Sequence, residues 1–353
     1  MDIVQVPSLK KLIQPSSWKT KKLLADAHLD VLKLCQYGCR YCSSNSGAHI
    51  RWKTKEINER VKKSTGREFD RRDVSSLTLT YEDAVGQLEQ ELSKVRKAKG
   101  AGQVLVYSQL TDGFSPVLVQ QDIPRRALDL VLERTSYRIR ILTKNAIVGR
   151  SDWVEYFQRH RDRFVVGLSI GTLDDSFSKK MELLTSLPTQ RIKALHALQD
   201  AEVPTYGMLC PIFPQVVLNG ELEDLIAAIR PKFCEDVWAE PFNDRNNWQH
   251  TQSAYEQDSK IWEWMTEVYE NKCTDVWSEY ATELYLRLAR HGKQYGWLSK
   301  LKYMLYEELI SSIDASKFGD RVGLLLQRTN KNGLSDNPAF NICLLYTSQS
   351  PRD

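Results

Sequence analysis

The chain has 353 residues, 42% of them hydrophobic, enough apolar material for one large α/β domain with an appendage or for two domains. A formal net charge of +4 is too mild to establish a nucleic-acid partner by itself. No apolar run is long enough to span a membrane, no signal peptide is evident, and seven cysteines include a cluster of three, so a soluble protein of a reducing compartment, the cytoplasm, is expected.

Residues 1–27 carry Lys10, Lys11, Lys19, Lys21 and Lys22 around Pro15 and Trp18 and read as an irregular basic leader. A first strand is predicted from His28 to Leu34. Directly after it comes Cys35-Gln-Tyr-Gly-Cys39-Arg-Tyr-Cys42, three thiols at spacing C-x3-C-x2-C. Thiols this close can converge on one metal centre if the loop wraps around it. Iron–sulfur clusters are bound by thiolates from short Cys-rich loops of this kind. Three local ligands leave one iron of a cubane open, and an open position signals reactivity, as it does in catalytic zinc sites. Zinc with a distant fourth ligand, such as His28, His49 or Cys210, is the competing reading. Zinc motifs usually come as paired C-x2-C units, and no second pair exists here.

Residues 51–72 form a second basic stretch, with Arg51, Lys53, Lys55, Arg60, Lys62, Lys63, Arg67, Arg71 and Arg72. It reads as a solvated helical face or mobile loop, with a phosphate-contacting surface as the sharper alternative. From there the chain alternates. Thr80 and Asp83 make a T-x-x-D start signal, followed by Val85, Leu88, Leu92 and Val95 at helical spacing. Strands are predicted at 104–110, 137–143, 164–170, 205–212 and 237–242. Helices are predicted at 122–134, 152–161, 188–201 and 221–230. Six strands separated by helical pattern imply parallel strands with right-handed crossovers. Six units are fewer than the eight of a closed barrel. The expected fold is therefore α/β, a partial (β/α)6 TIM-type barrel with a C-terminal helical extension. Residues 253–313 read as helical and dense in aromatics, packed as a cap, with a base-stacking surface as the alternative.

In βα barrels the loops at the C-terminal strand ends build the active site. Those ends carry Ser108-Gln109-Leu-Thr-Asp112-Gly, Thr143-Lys144-Asn145, Ser169-Ile-Gly-Thr172 and Cys210-Pro-Ile-Phe-Pro214. The Cys motif with Tyr41 before its third Cys resembles the radical S-adenosylmethionine (SAM) superfamily. Thr111-Asp112-Gly-Phe114-Ser-Pro116, Leu142-Thr-Lys144, Ser169-Ile-Gly-Thr172, Glu182 with Pro188-x-x-Arg191, and Cys210-Pro-Ile-x-Pro214 follow in order. Over residues 28–245 this series resembles the spore photoproduct lyase-like branch, also called DNA repair photolyase-like. The resemblance implies a [4Fe–4S] cluster on Cys35, Cys39 and Cys42, whose open iron chelates SAM. It places Tyr41 beside adenine, pairs Lys144 with the SAM carboxylate, gives Ser169 a hydrogen bond to the cofactor and has Glu182 and Arg191 shape the pocket. Ser108 is a further candidate cofactor contact. Glu182 and Arg191 also fit an ordinary helix-associated ion pair.

The sequence departs from that branch at three places. Gln109 stands about where the authentic lyase has a hydrogen-donating Cys, Ser43 replaces an aromatic after the third cluster Cys, and Glu182-Leu183 replaces a Glu-Pro step. The implied activity is reductive cleavage of SAM to a 5′-deoxyadenosyl radical. It is expected to act on a nucleic-acid substrate, with a reductant such as flavodoxin or ferredoxin. Radical SAM modification of a peptide or protein is the first alternative. A non-enzymatic nucleic-acid-binding module with a structural metal is the second. Residues 1–27, 28–245 and 246–342 are expected to form leader, barrel and aromatic-rich helical region. Cys343 to Asp353 resembles the translation of a sequencing-library adapter, so residues 343–353 are expected to be non-native, with the native C-terminus missing.

Overall fold

The computed structural model describes residues 2–8, 10–42, 54–66, 68, 77–244 and 246–341. Ser43, His49, Cys343 and much of the basic stretch 51–72 lie outside the described residues. Lys55, Arg60, Lys62 and Lys63 fall on helix α1 (Thr54–Thr65).

Two sheets organise the chain. The larger holds β2 (Ile13–Pro15), β3 (Ala27–Leu29), β6 (Val104–Tyr107), β7 (Arg138–Thr143), β8 (Phe164–Leu168), β9 (Thr205–Ile212), β10 (Cys234–Pro241), β11 (Leu301–Leu305) and β12 (Leu324–Leu326). From β3 to β12 these strands are parallel and follow one another in sequence order, and β2 runs antiparallel along the edge of β3. The smaller sheet sets β1 (Asp2–Val6) and β4 (Leu32–Leu34) on either side of β5 (Leu77–Tyr81). Val4, Val6, Leu34, Leu77 and Leu79 bury one face of it against Val61 of α1.

Helices α2 (Ala84–Ser93), α3 (Ile123–Arg134), α4 (Ser151–Arg159), α5 (Asp175–Met181), α6 (Pro188–Asp200), α7 (Leu222–Ala228) and α8 (Thr274–Tyr295) fill the connections from β5 to β11. Their starts follow local chemistry. The Asp83 carboxylate accepts from the Gly86 amide at 3.1 Å and caps α2, so the start signal acts at Asp83, while Thr80 stays in β5. Pro124 and Pro188 occupy first turns, where a missing N–H costs nothing.

Strand β7 shows why the sheet curls. Ile139 and Ile141 join the core beneath the helices. The intervening Arg140 lies over the Tyr206 and Trp238 rings, 4.9 and 4.5 Å from their centroids. Trp238 is on β10, three strands away from β7. Only the concave face of a curved sheet brings them together. On that inner face Val165, Tyr206, Met208, Trp238 and Met304 form a second core, with Leu24, Trp18 and Leu142 against it.

Several expectations are corrected. The parallel series does not stop at six strands, because β11 and β12 extend it inside the region read as purely helical. A short apolar run such as Leu301–Leu305 cannot be told from a buried helical segment by periodicity. The first strand is split, with 27–29 in the large sheet and 32–34 in the small one. At the break Asp30 accepts the Gln109 and Leu110 amides at 2.9 and 3.2 Å, so a side chain satisfies groups that a continued ladder would have used. The leader is not irregular, since it supplies β1, which pairs with β5 in the small sheet, and β2, which pairs with β3 in the large one. The aromatics of 253–313 largely pack as a cap: Trp277, Tyr280, Tyr285, Trp297 and Tyr303 are buried. The Trp277 indole N–H donates to the Phe242 carbonyl at 2.9 Å, and the Tyr303 hydroxyl donates to that of Ala281 at 2.6 Å.

Candidate functional site

The Cys loop is fastened on both sides. Gly38, at φ 63°, makes the left-handed turn between Cys35 and Cys39. On one side the Tyr37 hydroxyl donates to the Phe114 carbonyl at 3.2 Å, and the Gln36 amide oxygen accepts the Val117 N–H at 3.1 Å. On the other, Arg40 N–H donates to Met181 O at 2.9 Å and Leu184 N–H to Tyr37 O at 3.1 Å, around an antiparallel bridge between Cys39 and Glu182. Asn247 closes the turn by donating to Arg40 O at 2.8 Å.

That bridge delivers Glu182 to the loop, where it becomes the hub of a buried polar network. Its carboxylate accepts from Tyr41 and pairs with Arg191, which is 1% exposed. Ser178 donates to it at 3.2 Å, and the Lys144 ammonium lies 4.0 Å away. Arg191 also donates to the carbonyls of Ser169 at 2.6 Å and Ser186 at 2.8 Å. Lys144 hydrogen-bonds the Ser169 hydroxyl at 3.0 Å, and that hydroxyl donates to Cys210 O at 2.9 Å. Lys144 stands 5.6 Å from the Tyr41 ring centroid, whose other neighbour is Phe213. Burial opposes ionisation of Glu182, but Arg191, Lys144 and the Tyr41 hydroxyl outweigh it and hold the carboxyl below its ordinary value. Burial likewise opposes the Lys144 charge, and Glu182 and Cys39 restore it.

The structure therefore brings together Tyr41, Lys144, Ser169, Glu182 and Arg191. Ser108 lies apart, at the end of β6, with a buried hydroxyl that has no partner among the described residues. Gln109 faces the N-terminal segment, accepting from Ser16 and donating to Ser17 at 3.3 Å. A cavity of about 210 Å³ opens at the strand ends, with Tyr41, Cys42, Lys144, Ser169, Cys210, Glu240 and Met304 in its lining, together with Trp18 and Lys22 from the N-terminal segment.

Among the described residues, Cys35, Cys39 and Cys42 form no disulfide bond. Burial pushes the Cys35 thiol up to about 12, with Cys42 and Asp112 adding to the effect. Burial raises Cys39 as well, with Lys144 opposing and Glu182, Cys42 and Cys35 reinforcing. The three sulfurs thus feel one another's charge. Among the described residues no three His, Cys, Asp or Glu side chains are gathered closely enough to hold a metal ion. The donor chemistry nevertheless fits a thiolate-bound cluster: three soft sulfur ligands on one loop, with positive iron to offset the charge that burial disfavours.

Sequence reasoning gave no role to Asp112, which is buried and aims the end of β7. Its carboxylate accepts the Thr143 hydroxyl at 2.8 Å, the Phe114 amide at 2.9 Å and the Lys144 amide at 2.7 Å. The available signal was an acid in the loop that follows β6, two residues before Phe114-Ser-Pro. Glu240 and Tyr306 were missed too; an acid ending a barrel strand was the clue for the first.

No protein-family model matches the sequence, and no curated protein matches it. Solved structures do. A tyrosine-to-phenylalanine variant of spore photoproduct lyase is 13% identical with a TM-score of 0.52, covering 84% of this chain and 80% of that one. Another spore photoproduct lyase variant, with bound AdoMet and dinucleoside spore photoproduct, is 12% identical with a TM-score of 0.45 and covers 72% of this chain. This chain spans 66% of its length, just under two thirds. Native anSMEcpe with bound AdoMet is 10% identical with a TM-score of 0.36, covering 61% of this chain and 53% of that one. The first of these alone carries weight for the architecture. Among the described residues no helix is long and apolar enough to cross a membrane. The chain has the fold seen in the spore photoproduct lyase structure.

Proposed function

We propose that the protein is a radical SAM enzyme of the cytoplasm, with Cys35, Cys39 and Cys42 holding a [4Fe–4S] cluster and a nucleic-acid substrate held across the cavity. The observation that carries this reading is the buried Tyr41–Glu182–Arg191 and Lys144–Ser169 network, bridged directly to the Cys loop. When bound and reduced by a carrier such as flavodoxin or ferredoxin, the cluster and SAM would together supply a 5′-deoxyadenosyl radical for hydrogen abstraction.

The chain's own residues bind and orient. Lys144, kept charged by Glu182, would meet the cofactor carboxylate with a charge-assisted contact. Tyr41 is held by Glu182 so that its ring flanks the same space, with Phe213 behind it. Ser169 fixes Lys144 from one side and the Cys210 carbonyl from the other. Gly171 lets the β8 loop press on the next strand end, since a Cβ there would stand 2.1 Å from the Pro211 carbonyl oxygen. The Phe177, Phe213, Phe242 and Met265 cluster above the loop keeps water from it. We assign the catalytic part to residues 28–245, with 1–27 and 246–342 as its walls.

The test is anaerobic reconstitution with iron and sulfide, then a reduced assay with SAM that measures 5′-deoxyadenosine. Wild type is expected to form it, and Cys39→Ala is expected to form none. Stoichiometric zinc with no SAM cleavage would overturn the proposal in favour of a structural-metal module.

A further inference from the structure

We infer that the N-terminal segment 16–24 is a strap that closes the barrel seam and presents a substrate subsite, with Trp18 as a stacking platform and Lys22 and Glu240 as a donor–acceptor pair for a nucleobase. This rests on the reading above and names residues for the wall of the cavity that the strap and β10 supply.

The strap spans the gap between the first and last parallel strands. Ser16 bonds Gln109 beyond β6. At the other end the Gln327 side chain donates to Lys21 O at 2.7 Å, the Lys21 ammonium donates to Gln327 O at 2.7 Å, and the Trp238 indole donates to Lys22 O at 2.8 Å. Apolar side chains would have sufficed to seal the seam. Instead the strap turns a half-buried Trp18 and Lys22 into the cavity that Cys42 and Lys144 also line.

The Lys22 ammonium lies 3.7 Å from the Glu240 carboxylate, with the two side chains 18% and 14% exposed. That separation is Coulombic contact, longer than a formed hydrogen bond, so the ammonium protons remain available to a third group. Largely desolvated pairs of this kind add little to stability. The pair is nonetheless held in place, because the Tyr306 hydroxyl donates to Glu240 at 2.7 Å and the Lys22 ammonium stands 5.3 Å from the centroid of the Trp18 ring. A flat apolar face with an adjacent donor and acceptor matches a planar heterocycle whose edge carries both, which is what a base offers once it is out of a stack.

The test uses fluorescein-labelled octathymidylate and fluorescence anisotropy at fixed ionic strength on the full chain. Trp18→Ala and Lys22→Met are each expected to weaken binding by about 5- to 100-fold. Trp18→Phe, which keeps a platform in the seam, is expected to restore most of it. Lys193→Met removes one positive charge from the exposed outer side of α6 and is expected to stay within about twofold. Variants that bind like wild type, an equal loss in Lys193→Met, or a wild type that binds a peptide but no octathymidylate would each overturn the subsite. The 5′-deoxyadenosine assay on wild type separates the two proposals. Turnover with unaltered binding in the strap variants would sink the subsite alone, whereas strap-dependent binding without turnover would sink the enzyme reading alone.

Discussion

Removing Arg191 isolates the buried network from the chemistry it is proposed to serve. Arg191→Met keeps an unbranched apolar stem and deletes the guanidinium and its charge. It removes the pairing to Glu182 and the hydrogen bonds to Ser169 O, Ser186 O and the Ser178 hydroxyl, at 2.6, 2.8 and 3.1 Å. Glu182 is then left buried with only Tyr41, Ser178 and an ammonium 4.0 Å away. Breaking one side of such a pair costs about 3–5 kcal/mol. For a chain of 353 residues that is a fall in Tm of roughly 4–7 °C. Scanning calorimetry on the purified protein reads it directly. The double variant Glu182→Gln/Arg191→Met is expected to recover at least about 1 kcal/mol of the loss, because it no longer strands a carboxylate. A Tm for Arg191→Met equal to that of wild type would refute the view that this pair holds the loop.

Two further outcomes follow from local geometry. Gly171→Ala places a Cβ 2.1 Å from a backbone oxygen that cannot step aside; it is expected to cost about 1–3 kcal/mol, measurable as a lowered denaturation midpoint. Burial opposes ionisation of Asp314, but Lys317, Ser278 and Ser311 outweigh it and hold its carboxyl below the ordinary value of 3.8. A depressed folded value means that its stabilisation is complete above the unfolded pKa and disappears as pH falls through the folded one. The Tm gap between wild type and Asp314→Asn should therefore be open at pH 7 and close below pH 4; a gap that persists in acid would contradict the assignment.

The barrel was legible because its strands alternate with helices of strong period, and β9 runs over 205–212 as expected. Strands β11 and β12 were not, because one is five residues and the other three, too short to show a period of two against aromatic neighbours. At the site, Lys144 and Ser169 stand just past strand ends, whereas Glu182, after α5, and Arg191, on α6, were named only through the family resemblance. What pattern could not supply was reach. Asp112 works through a hydroxyl and an amide at the end of another strand, and Trp18 lines the cavity on a strap held by Gln109, Trp238 and Gln327, all distant in sequence. Leader lysines were weighed as charge, although Lys21 and Lys22 act mainly as hydrogen-bonding and lining groups.

The strap also bears on when the cavity can exist during synthesis. Each parallel strand joins the one made just before it, so the sheet can grow in step with the emerging chain. Lys21 and Gln327, by contrast, are separated by 306 positions, and their contact waits until the last strand has left the ribosome. Loop-closure entropy rises only slowly with length, so this late docking adds little to the thermodynamic burden. It does make the seam the last piece to assemble. A nascent chain would carry its Cys loop beside an open trough, and would gain the wall formed by the strap only once β12 and Gln327 had emerged.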